Sequence, residues 1–192
     1  MTEIYSRIFS VSQRLFALRG YAGVSISDIA ADAEIAKSTV LHHYPNKQKL
    51  YEAVVAESLD AFTRLTQNIA TENETALSDR LQALLRWMLS EPIHAKLLNR
   101  VFMDNPRAAA MAARKYWKPL LENLLAAAGL PVNDAGTRSR MLFCINAIFQ
   151  IAFSIELQVL IFAEKTDIES IGNLYYASIA AIADTLVAEK TR

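Results

Sequence analysis

Cysteine is almost absent from this chain. Cys144 is the only one in 192 residues, so no intrachain disulfide can form and a reducing compartment fits. Its neighbours are apolar, which marks an inert core thiol rather than a redox sensor. Glycine is scarce too, at five residues, and neither a glycine-rich phosphate loop nor a nucleophile elbow is present. Histidine is limited to His42, His43 and His94. The first two are adjacent, so on a helix they point in different directions. His94 has no carboxylate or cysteine at ligand spacing. No catalytic site, metal site or cofactor is therefore expected. Net charge is missing as well: 20 basic side chains balance 20 acidic ones. A globally basic nucleic-acid coat is excluded, but local positive charge in the right place is not. Met1 to Arg7 is polar, so no secretory leader is expected, and there is no internal repeat or low-complexity segment.

What the chain has in excess is apolar side chain, 53% hydrophobic against 21% charged. That is more than a simple monomeric core needs, and it anticipates a dimer interface or a ligand cavity.

The most informative stretch is Ser25 to Leu50. Ser25 suits a helix N-cap, and Asp28 three residues on suits both the capping pattern and the positive helix start. Ile26, Ile29 and Ala30 supply an apolar face at helical spacing. Glu34 to Ala36 is a turn. A second helix, Lys37 to Tyr44, is halted by Pro45. Two short helices at this separation form a helix-turn-helix, whose second helix can lie in a DNA major groove. That helix presents Lys37, Ser38, Thr39, His42 and His43, polar and mostly short. Lys47 opens the next helix behind Asn46, a ready phosphate site. On spacing alone, these residues suit a solvated face equally well.

From Leu15 to Val54 the order of residues resembles the DNA-binding domain of the TetR (tetracycline repressor) family. The matching residues are Leu15, Phe16, Gly20 and Tyr21, then Ser25 with Asp28-Ile29-Ala30. They continue through Lys37-Ser38-Thr39, His42-His43-Tyr44, and Asn46-Lys47 with Leu50. The resemblance implies phosphate contacts from Ser25, His42 and Lys47 and base-edge reading by Lys37, Ser38 and Thr39. Four positions depart from the family's habit. Val24 stands for a threonine, Glu34 for the turn glycine, Ala36 for a capping serine, and Leu41 for a tyrosine that touches the DNA backbone. If Glu34 is left-handed it costs about 1–2 kcal/mol. Loss of the cap at Ala36 costs about 0.5–2 kcal/mol, unless Ser38 caps a later start.

Around this stretch the whole chain reads as all-α. Ile4, Ile8, Val11, Leu15 and Leu18 mark a first amphipathic helix, ended by Gly20, which completes a three-helix N-terminal DNA-binding domain over residues 1–46. Residues 47–192 form a larger helical domain for effector binding and dimerisation. A long helix from Lys47 to about Thr71 leads into it, with Leu50, Val54, Phe62, Leu65 and Ile69 inward. Helices follow over Ala76–Glu91, from Pro92 to about Asp104, over Pro106–Gly129 (broken or kinked at Pro119), over Gly136–Lys165, and from Asp167 to about Lys190. Met141 to Ala163 has the length of a membrane span. Its Asn146, Gln150, Ser154, Glu156 and Gln158 argue for a buried helix instead.

In the TetR resemblance the last two helices pair with a second copy, and Ala177, Ala180, Ala181 and Ala183 permit close approach. Trp87, Phe102, Met103, Trp117, Phe143, Asn146 and Gln150 offer the apolar lining and few polar groups of a small-molecule pocket. The alternative for each is ordinary core or dimer seam. The function expected is that of a cytoplasmic, homodimeric, ligand-responsive transcription regulator, a repressor rather than an enzyme. It binds a pseudo-palindromic double-stranded operator and is released by a mainly apolar effector. Two other readings remain: a protein of the same fold controlled by a protein partner, and an all-helical enzyme or lipid carrier.

Overall fold

The structure, a computed structural model, describes residues 3–71, 76–104, 110–162 and 168–188. At 70–71, 102, 104, 156–162 and 168–169 only the backbone is described. Among the described residues there are nine α-helices and no strand. They are α1 (Glu3–Arg19), α2 (Ile26–Asp32), α3 (Lys37–His43), α4 (Lys47–Thr71), α5 (Leu77–Ser90), α6 (Pro92–Asp104), α7 (Lys118–Ala127), α8 (Ala135–Phe162) and α9 (Ile168–Ala188). A π-helical turn, Ala113–Trp117, runs directly into α7. Pro119 explains its place, because a residue without an N–H cannot close the usual bond to the preceding turn. The expected helix starts at Pro106 and Asp167, and the expected ends at Lys165 and Lys190, lie outside the described residues.

By compactness the chain forms two units, Met1–Thr63 with Ile93–Ala110, and Arg64–Pro92 with Met111–Arg192. The division falls inside α4, and α6 belongs to the first unit. The core of that unit is built by Ile8, Leu15 and Phe16 of α1, Ile26 and Ile29 of α2, Val40 of α3, Leu50 and Val54 of α4, and Leu97 of α6. Ile4 and Leu18, expected on the inward stripe of α1, are exposed instead, at 39% and 52%. Phe16 takes the inward place, against Tyr21 and Tyr51 at centroid distances of 6.3 and 5.1 Å.

Two glycines shape the approach to α2. Gly20 is left-handed (φ 70°) and closes α1 through its N–H to the Phe16 carbonyl. At Gly23 a side chain would sit 2.5 Å from the Arg19 carbonyl, so only glycine fits.

The α2–α3 turn is a Schellman motif: the Ile35 N–H reaches the Ala30 carbonyl, and the Glu34 N–H reaches that of Ala31. Its left-handed residue is Glu34, at φ 55°, a conformation that glycine adopts without a Cβ penalty. Ala36 is the N-cap of α3 and makes no side-chain bond. Both departures noted in the sequence therefore fall on unfavourable geometry. Glu34→Gly is expected to stabilise the unit by about 1 kcal/mol and Ala36→Ser by about 0.5–2 kcal/mol. Chemical denaturation of each variant checks this, and no gain at either site would show that the turn and cap are compensated elsewhere.

In the second unit, α5 packs on α8 and α9, and α7 on α8. Leu77, Leu81, Leu84 and Met88 are buried as their spacing predicts, with Leu85 beside them. Buried Arg80 donates to the carbonyl of Ile69, near the end of α4. Among the described residues, one helix stretch, Ser170–Ala188 in α9, is long and apolar enough to cross a membrane by length and composition. Its inward residues are Ile171, Ile179, Ala183 and Leu186.

Candidate nucleic-acid interface

The interface is assembled around α2. Its N-cap, Ser25, forms a capping box: the Asp28 N–H donates to the Ser25 hydroxyl at 3.1 Å, and the Ser25 N–H donates to the Asp28 carboxylate at 2.7 Å. Hydrogen bonds from the Ser25 side chain and backbone hold the Asp28 carboxyl below its usual value, so the box keeps its charge to lower pH than a free aspartate would and is lost on protonation. Arg14 pairs with Asp32 at the other end of α2. That pair is exposed and contributes little energy.

Lys47 is held on the same side. Its ammonium donates to the carbonyls of Tyr21 and Val24, both at 2.9 Å, and lies 4.1 Å from the centre of the Tyr21 ring. The start of α4 is thereby tied to the loop that leads into α2. An ammonium has three donors, and two of them serve this latch. Ser25, Lys37 and Lys47 line one open cleft of about 510 Å³, with the backbone of residues 22–24 and the start of α2 forming its floor. Two cations and the hydroxyls of Ser25 and Ser27 face the cleft beside one carboxylate, Asp28, already engaged in the capping box, so the balance of charge favours an anion.

On α3 only Val40 is fully buried. Thr39 and His43 are half-buried, and Lys37, Ser38, Leu41 and His42 are exposed. Successive residues lie 100° apart, so Ser38 and His42 lie furthest from Val40, with Leu41 and Thr39 at the two edges of that face. His43 turns back towards Tyr5, whose ring is 6.1 Å away. The two histidines point apart, as their adjacency requires. Of the six residues expected at DNA, three share the cleft and Ser38 and His42 share the outward face of α3. Thr39 sits at the edge of that face.

Two features of this unit were not visible in the sequence. The Lys47 latch joins residues 23 and 26 positions apart in the chain. His94, on α6, has its Nδ1 at 3.0 Å from Gln13 Nε2 and 2.9 Å from the buried Ser58 hydroxyl. Neither partner is near His94 in sequence.

The residues expected around an effector differ in their placement, each within its own unit. Trp117 meets Phe149 at 4.5 Å, and Phe149 meets Phe153 at 5.7 Å. Trp87 is half-buried, and the side chain of Phe102 lies outside the described residues. Met103 and Phe143 are 75% and 71% exposed, and Asn146 and Gln150 are also on the outer surface of α8. Gln150 edges a strongly apolar cleft of about 370 Å³ between α5, α8 and α9, lined also by Leu81, Ile148, Ile151, Tyr175 and Ile179. Cys144 borders it; burial pushes its thiol up, towards the unreactive protonated form. Among the described residues no group of three His, Cys, Asp or Glu side chains is placed to hold a metal ion.

Comparison with known proteins agrees with this geometry. Residues 8–54 match the family described as bacterial regulatory proteins, tetR family. The chain is 26% identical over 110 residues to the nucleoid occlusion factor SlmA of Pasteurella multocida, covering 54% of this chain and 55% of that one. It spans only 55% to 62% of the curated relatives it matches. Among solved structures, a TetR-like transcriptional regulator from Rhodococcus sp. RHA1 superposes with a TM-score of 0.71 at 17% identity, over 96% of both chains. The ketosteroid transcriptional regulator KstR2 of Mycobacterium tuberculosis gives 0.67 at 15% identity, over 93% of this chain and 94% of that one. At these identities the two structures establish a shared fold.

Proposed function

We propose that this chain, a transcriptional regulator of the tetR family, acts as a cytoplasmic homodimeric repressor released from its operator by a small, mainly apolar molecule. The observation that carries the reading is the cleft that brings Ser25, Lys37 and Lys47 together beside the outward face of α3. Ser25, His42 and the third donor of Lys47 take phosphates, while Lys37, Ser38 and Thr39 meet base edges. Two copies related by a two-fold axis present two such helices to successive major grooves, so the operator is a pseudo-palindrome. Residues 1–46, with Lys47 at the start of α4, carry DNA binding, and the remainder of residues 47–192 carries the effector and the second subunit.

The exposed apolar side of α8 and α9, with Phe143, Leu174, Ile182 and Val187, is the dimer seam in this reading. Ala177 and Ala181 are exposed there, whereas Ala183 faces the unit's own core. The effector enters the apolar cleft edged by Gln150 and Tyr175. It favours a conformer whose recognition helices no longer match the operator spacing, by about 1–3 kcal/mol. A second reading keeps the fold and the DNA interface but replaces the small ligand by a protein partner.

Titration of upstream DNA across a salt series tests the proposal. Lys37→Ala is expected to lower the salt slope by about one per subunit if it also meets phosphate, and Thr39→Ala to weaken specific binding alone. Unchanged affinity in both variants would remove the base-reading roles. An apolar compound that raises the melting temperature and releases DNA supports the small-ligand reading over the protein-partner one.

A further inference from the structure

The exposed surface of α3 carries one apolar residue on its flank. Leu41 is 39% exposed and lies about 100° around the helix from buried Val40, between exposed Lys37 and Ser38. Its side chain has no donor or acceptor. Against a polar base edge it would remove water from that edge and return no hydrogen bond, which is a net cost. Against phosphate it would offer nothing at all. The one apolar group on the floor of a B-DNA major groove is the 5-methyl of thymine. The exposed neighbours of Leu41 around the helix, Lys37 and Ser38, are polar, so the apolar contact is confined to a single position of the surface.

From this we propose that Leu41 is a specificity-determining residue that reads the 5-methyl group of one thymine in each operator half-site. The inference rests on α3 being the recognition helix. It adds a base identity that the polar residues of that helix do not supply. Burial of one methyl group is worth about a fourfold gain in affinity, and two half-sites together about fifteenfold.

The experiment replaces each thymine of the preferred site, one symmetric pair at a time, by deoxyuridine. This removes the methyl and leaves pairing unchanged. Dissociation constants are read by fluorescence anisotropy for wild type and for Leu41→Ala, whose exposed position leaves the fold intact, as circular dichroism checks. One thymine pair is expected at which deoxyuridine weakens wild type about fifteenfold and leaves Leu41→Ala unchanged. Specific binding in which every thymine responds alike in both proteins overturns the role of Leu41 alone. It would place the leucine against sugar or solvent. Wild-type protein with no sequence preference overturns the recognition-helix reading itself, and this inference with it.

Discussion

In the proposed homodimer, Phe143→Glu is expected to separate the two subunits into monomers at micromolar concentration. Phe143 projects from α8 with 71% of its surface exposed. Leu142 beside it and Ile182 and Val187 of α9 are also exposed. An aromatic ring and several aliphatic side chains facing solvent together are unusual for a monomer. A shallow groove between these helices, lined by Phe143, Cys144, Ala181, Ile182 and Leu186, continues the surface. In the proposed dimer, burying such a face supplies the hydrophobic gain that would hold two copies together.

A glutamate at its centre would put an unpaired carboxylate into an apolar seam, a cost of several kcal/mol. Light scattering should report the monomer, with helical content unchanged because the site is exposed within one chain. Operator affinity should fall about 100-fold or more, because the second half-site is no longer tethered to the first. If the variant remains a dimer, the seam lies elsewhere. Phe143 would then be free for the effector role its sequence context suggests.

Lys47→Met should destabilise the first unit by about 2–3 kcal/mol. Methionine keeps the length and packing of the stem but removes the charged donor from the Tyr21 and Val24 carbonyls and from the Tyr21 ring. Hydrogen bonds from a charged donor contribute about 1.5–3 kcal/mol each; the figure is reduced here because Lys47 is half-buried and partly screened. Denaturant titration measures the loss. A pure phosphate contact would leave stability unchanged and lower the salt slope by about 0.9. A latch that also reaches phosphate lowers both, and this is the outcome expected. No change in stability would mean that the two carbonyls find water as good a partner.

The N-terminal unit was legible because its signals are local. Ser25 and Asp28 form the capping box that their spacing announces. Glu34 and Ala36 sit where a glycine and a capping serine would be expected, and the backbone there has the strained turn and bare cap this implies. The Lys47 latch was not legible, because a lysine at a helix start reads as a phosphate ligand unless the distant carbonyls are known.

The second unit was harder for a different reason. α8 is apolar on nearly every side, so periodicity gives it no inward direction. Phe143, Asn146 and Gln150 were grouped by chemistry, and the fold turns all three outward. Buried Phe149 meets Trp117 instead, with Phe153, one helical turn on, against Phe149. Leu41 stood out in the sequence only as a departure. Its exposure on α3 turns that departure into a candidate for base reading.

The most direct test is selection of bound duplexes from a random-sequence DNA library by the full chain, followed by sequencing. A two-fold repressor predicts enrichment of an inverted repeat, its half-sites about one helical turn or a multiple of it apart. The same selection with Lys37→Ala and Thr39→Ala together should lose that repeat. Absence of any enriched sequence, or a repeat selected equally well by the double variant, would contradict the account.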